Sequence, residues 1–138
     1  MEKALEQALV AAQSGEVPVG AVVVHNQKII AKGYNFVEYL YDVTAHAEIQ
    51  AITAAANYIG SKYLLECTIY VTLEPCTMCA GALALSQLNK IVYGASDDKK
   101  GFTRYKPLIK HPKTKIISGI LAYKCREMLK NFFIKKRI

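Results

Sequence analysis

No stretch of this 138-residue chain approaches the roughly 18 to 20 consecutive apolar residues that a bilayer-spanning helix needs. Nor does it carry a basic segment followed by an unbroken apolar core. It opens Met1-Glu2-Lys3-Ala4-Leu5-Glu6, with acids where a secretory leader would be basic, so a cytoplasmic setting without export or a membrane is expected. Cysteine is too sparse and too unevenly placed for a disulfide framework. Of the four, Cys76 and Cys79 stand at metal-ligand spacing, and Cys67 and Cys125 are isolated in apolar surroundings. Internal repeats and low-complexity tracts are missing too, and the length fits a single domain, 1–138, able to bury a core without a metal staple.

Acidic residues are scarce in one part of the chain only. Residues 1–98 hold 5 Lys/Arg and 10 Asp/Glu, net −5, whereas residues 99–138 hold 13 and 1, net +12. So lopsided a field suits a polyanionic partner such as nucleic acid, although a solvated basic helix produces the same count. The 52% hydrophobic and 21% charged composition is that of a soluble globular protein.

Periodicity predicts a helix over 2–14 closed by Gly15, and a hairpin of strands 20–24 and 28–33, although no Asn-Gly or Asp-Gly pair marks its turn. Residues 34–43, with four aromatics and no period, read as an irregular connection. Thr44 is the expected N-cap of a helix over 45–59 that Gly60 stops. A strand over 67–73 follows, then a helix with Pro75 in its first turn reaching about Gln87, then a strand over 90–94. Residues 95–114 read as a long loop or broken helix, 115–118 as a short strand, and the stripe Leu121, Cys125, Met128, Leu129, Phe132, Phe133 as a last helix. Strands alternating with helices after a hairpin imply α/β, a mixed sheet covered by helices.

Cys76 and Cys79, three apart at a helix start, can meet one ion. Alone they fit a redox dithiol equally well. His46, beside Glu48 at the start of another helix, favours metal, because a redox pair has no use for an imidazole and a carboxylate there. One imidazole and two thiolates leave a fourth position open on zinc, where a water can be ionised near neutral pH. Glu48 then serves as a carboxylate for proton transfer beside the metal, or as a first-turn acid that answers the helix dipole. Closure of the site by Cys67 or Cys125 is the less favoured reading, since each packs as a small hydrophobe. His25 and His111 read as structural histidines outside any ligand cluster.

The His-x-Glu and Pro-Cys-x-x-Cys segments are the signature of zinc base deaminases. With Gly15-Glu16-Val17-Pro18-Val19-Gly20-Ala21, Asn35, Thr44 to Glu48, Tyr70 to Ala82 and Val92-Tyr93-Gly94-Ala95, the chain closely resembles the bacterial tRNA adenosine deaminases of the cytidine deaminase superfamily. That resemblance implies a three-layer α/β/α cytidine-deaminase-like fold with a mixed five-stranded sheet. It also implies a homodimer with one Zn2+ per subunit, and hydrolysis of adenosine to inosine at the wobble position of a tRNA anticodon stem loop, with zinc hydroxide attacking C6. By resemblance His46, Cys76 and Cys79 are the ligands and Glu48 the proton shuttle. Asn35, Ala47 and Glu74 surround the base, Asp97 sits in an anticodon-contacting loop, and Phe133 and Arg137 lie in a tail that grips RNA. The chain departs from the family pattern over 37–43, at Gln87 and over 101–105. The alternatives are a zinc deaminase of a free base or nucleoside, such as guanine or cytosine, and a non-catalytic zinc-stabilised RNA-binding domain.

Overall fold

The structure, a computed structural model, describes residues 1–136. Five strands, β1 (Gly20–His25), β2 (Lys28–Tyr34), β3 (Cys67–Leu73), β4 (Lys90–Ala95) and β5 (Lys115–Ile117), form one sheet in the order β2-β1-β3-β4-β5. β1 runs antiparallel to β2 and β3, while β3, β4 and β5 are mutually parallel, so the sheet is mixed as expected. The hairpin turn is Asn26-Gln27, both residues in the left-handed region that a two-residue turn of matching twist requires. Tolerance of positive φ by Asn and Gln replaces the absent glycine.

Five helices cover the sheet: α1 (Glu2–Gln13), α2 (Val37–Leu40), α3 (Ala47–Ile59), α4 (Thr77–Ser86) and α5 (Ala122–Lys136). Two glycines in adjacent strands show how the layers are assigned. A Cβ on Gly20 would strike the backbone of α1 at Ala4 and Ala8, and a Cβ on Gly33 would strike the backbone of α3 at Ala47 and Ala51. Gly20 pairs with Tyr34 and Ala21 with Gly33, so the two glycines point to opposite faces. α1 and α5 therefore cover one face, and α3 and α4 the other. Alanines on the facing helices, Ala4, Ala8, Ala47 and Ala51, are fully buried and let each helix settle close to the strands.

Three local expectations are corrected. Thr44 is not the cap of α3: its N–H and Oγ both donate to Asp42 Oδ1, at 2.8 and 2.7 Å, so the chain stays non-helical until His46, which takes the cap position. Pro75 lies outside α4, whose cap is Cys76. The 34–43 connection contains the short helix α2. The 95–114 stretch is a packed loop. Phe102 within it is fully buried against Tyr93, at a centroid distance of 6.4 Å, and Lys110 Nζ donates to the carbonyls of His111, Pro112 and Thr114.

Gly33→Ala is expected to destabilise the protein by about 1–3 kcal/mol, because backbone cannot yield to the added methyl. Gly81→Ala, in α4 with nothing within 4 Å of the new Cβ, is expected to stabilise by up to about 1 kcal/mol. Thermal melting of the two variants beside the parent checks both signs.

Candidate active site

The starts of α3 and α4 meet beyond the end of the sheet. His46 caps α3 with φ −74° and ψ 158°, and Cys76 caps α4 with φ −73° and ψ 174°. Extended backbone at a cap turns the side chain over the open end of the helix, toward its second and third residues. Cys79 is the third helical residue of α4, the position that faces the cap in a capping box. His46 Nδ1 consequently lies 3.7 Å from Cys76 Sγ and 3.5 Å from Cys79 Sγ. Zinc-like bonds of about 2.0 Å to nitrogen and 2.3 Å to sulfur, at tetrahedral angles, separate ligand atoms by about 3.5 Å. The trio therefore fits one small tetrahedral cation, and it is the only such cluster among the described residues. His25, beside Glu66, and His111, which accepts from the Lys113 N–H, stand outside it.

The ligands' protons are already shared. The facing Cys79 thiol, then His46, hold the Cys76 thiol down to about 4, while the same sulfur contact and burial push Cys79 up. His46 is raised, chiefly by the Cys76 sulfur. One thiolate beside an imidazole results, and a dication would displace the remaining thiol proton.

Glu48, second residue of α3 and 4% exposed, has its carboxyl pushed up to about 7 by burial. A carboxyl so placed can hold or release a proton near neutrality. With His46 as cap, Glu48 belongs to the first turn of α3, so the position that the helix dipole favours and the position beside the ligands are the same one.

A cavity of about 400 Å³ opens over this group, within the range of small-molecule sites. Asn35, His46, Glu48, Glu74, Cys76, Asp97 and Phe133 all line it, and Cys79 is buried beneath. Asn35 Oδ1 accepts from the Ala47 N–H at 2.9 Å, satisfying the first unpaired amide of α3 and leaving the Nδ2 donors for a ligand. Ala47 is fully buried and does not line the cavity; its part is to hold Asn35. Arg137 lies outside the described residues.

Glu74 is also redefined. Its Oε1 accepts from the Asp97 N–H at 3.0 Å, and its Oε2 from the Thr103 N–H at 3.0 Å and the Thr103 hydroxyl at 2.8 Å. The carboxylate is committed to the 97–103 loop, not to a base. Gly101 packs directly on it, since a Cβ there would strike the carboxylate, and Gly101 pairs with Cys76 in a single β-bridge. Asp97 Oδ1 in turn accepts from the Lys99 and Lys100 N–H groups, both at 3.0 Å. The sequence reading missed the matching device on the opposite rim. Glu16, 1% exposed, accepts from the Glu38 and Tyr39 N–H groups at 3.1 and 3.0 Å and fixes α2. An acid placed directly before the apolar Val17-Pro18-Val19 run was the available signal. Lys100, Phe132 and Lys136 also line the cavity.

The family model for MafB19-like deaminases matches residues 1–137. A protein of Rickettsia felis named tRNA-specific adenosine deaminase is 48% identical, with 100% of this chain and 99% of that protein covered. A solved structure from work on A-to-I editing by tRNA:A34 deaminases at the wobble position of transfer RNA superposes with a TM-score of 0.87 at 39% identity, covering 93% of this chain and 96% of that one. The guanine deaminase of Bacillus subtilis superposes with a TM-score of 0.66 at 37% identity, over 69% of this chain and 61% of that one.

Glu74→Gln turns one acceptor oxygen into a donor facing loop donors and is expected to cost about 1–3 kcal/mol. Limited proteolysis should then cut within 97–104 faster than in the parent, while the α1 end keeps its parental rate.

Proposed function

The chain belongs to the MafB19-like deaminase family, and from that premise we propose that it hydrolyses adenosine to inosine at the wobble position of a tRNA anticodon. The reaction rests on one observation: a buried carboxyl stands beside a three-donor metal cluster at the floor of a nucleoside-sized cavity. The substrate rests on the names of relatives 45–48% identical over nearly the whole chain. No described helix is long and apolar enough to cross a membrane, and we place the protein in the cytoplasm with its RNA.

His46, Cys76 and Cys79 would hold one zinc per subunit. Zinc bound there supplies a Lewis acid that lets a water lose its proton near neutral pH. Glu48 takes that proton and delivers it to N1 of the adenine as a C–O bond forms at C6. A second proton then passes through Glu48 to the amine, the C6–N bond breaks, and ammonia leaves; one water is consumed. Asn35 Nδ2 donates to a ring acceptor and fixes the base's orientation. Lys100 and Lys136 on the cavity rim, with the basic final third, engage phosphates, so affinity falls as salt rises. Phe133 at the rim contacts the RNA. Exposed Tyr58 on α3 and Leu85 on α4, with Tyr63 between the two helices, give a second copy an apolar face, consistent with a homodimer.

The likeness to a guanine deaminase supports a free base as the second reading. Incubation with an anticodon stem loop carrying wobble adenosine, beside free adenosine, cytidine and guanine, separates the two. Inosine in the RNA is the expected product, whereas guanine turnover unaffected by competing RNA overturns the reading. Glu48→Gln is expected to keep one zinc per chain and to lose about 10²-fold or more in kcat. Retained turnover in that variant removes Glu48 from the proton path.

A further inference from the structure

We propose that Tyr39 is a stacking platform for an unpaired base adjacent to the deaminated nucleotide; the inference rests on the RNA-substrate reading above. Three rings form a ladder from the end of β2 to the cavity rim. Tyr34 meets Phe36 edge to face at 5.3 Å, and Phe36 stacks on Tyr39 at 4.6 Å with an interplanar angle of 19°. The ladder stops there with its last ring 72% exposed. One face of Tyr39 is covered by Phe36, and the other is available to a further flat ring.

The platform is rigid and correctly sited. Glu16 holds the Tyr39 and Glu38 amides from the protein interior. Val37 and Glu38 of the same short helix line the cavity, so a chain whose target base enters the cavity passes Tyr39 with its next nucleotide. Lys100, on the rim opposite α2, and Lys136 also line the cavity and can take phosphates of a strand that enters it. An exposed aromatic face together with cationic groups is how unpaired nucleic acid is bound without base-specific hydrogen bonds. Nothing in the deamination chemistry uses Tyr39.

The test compares Tyr39→Leu, Tyr39→Phe and the parent on a wobble-adenosine stem loop, with each flanking base in turn replaced by an abasic site. Tyr39→Leu is expected to raise KM about five-fold or more with kcat unchanged, and Tyr39→Phe to stay within about two-fold of the parent. Removal of one flanking base should raise the parent's KM by a similar factor and add nothing in Tyr39→Leu. An unchanged KM in Tyr39→Leu overturns the proposal, as do full additional losses at both flanks. A Tyr39→Leu protein that sediments as a monomer where the parent is a dimer also overturns it, because a second copy then covers the ring. In all those outcomes RNA deamination by the parent stands; a parent that converts no wobble adenosine rejects the substrate reading and this inference together.

Discussion

The site depends on two helices that begin at the same place. His46 and Cys76 occupy cap positions, where the backbone is extended and the side chain turns over the open end of the helix, and Cys79 stands at the position that folds back toward the cap. A metal site built this way borrows its precision from the helix start. The geometry that normally brings a polar side chain to an unpaired amide brings sulfur to sulfur instead. The unpaired amides also make each helix start a region of positive potential, which favours thiolate at Cys76 and tolerates a carboxyl at Glu48. The sheet serves this arrangement by carrying β3 straight into the Cys76 turn, while Gly33 lets α3 lie close enough against β2 for His46 to reach it.

Much of this was legible in the sequence because its signals are local. Strand and helix identities follow from residue periods, and the ligand set follows from two short motifs whose residue types have few other joint uses. The misreadings share a cause: a residue with a strong local preference was given the nearest role that preference allows. Thr44 favours a cap, but Asp42 two residues earlier offers its carboxylate to both Thr44 donors and wins. Glu74 reads as a pocket residue and does line the cavity, but its hydrogen-bond partners Asp97 and Thr103 lie 23 and 29 positions away and no local pattern announces them. Asn35 is a parallel case. Its place in the cavity was anticipated, but one face of its amide belongs to α3.

Glu16 and Glu74 extend that lesson to the cavity rim. Each is a buried carboxylate that satisfies backbone donors of a surface segment, Glu16 those of α2 and Glu74 those of the 97–103 loop. Burying a carboxylate is costly unless donors converge on it, so each acid and its loop specify one another. The donors are main-chain amides, which every residue but proline supplies. Exposed side chains such as Tyr39 can therefore vary while the backbone stays in place, whereas Gly101, Phe102 and the Thr103 hydroxyl, which pack on or donate to the anchored side, cannot.

That separation explains why reaction and substrate are encoded so differently. The floor of the cavity is fixed by side-chain chemistry that tolerates almost no substitution: one imidazole, two sulfurs and one carboxyl. Its rim is fixed through the backbone, with Tyr39 and Tyr41 exposed on one side and the buried Phe102 anchoring the loop on the other. A rim of this construction can exchange exposed side chains without disturbing the ligands, because Glu74 and Gly101 already tie the loop to the Cys76 turn. Substitution of the exposed residues over 37–43 and at Tyr105 is thus compatible with an unchanged reaction, because none of them supplies a ligand or the buried carboxyl.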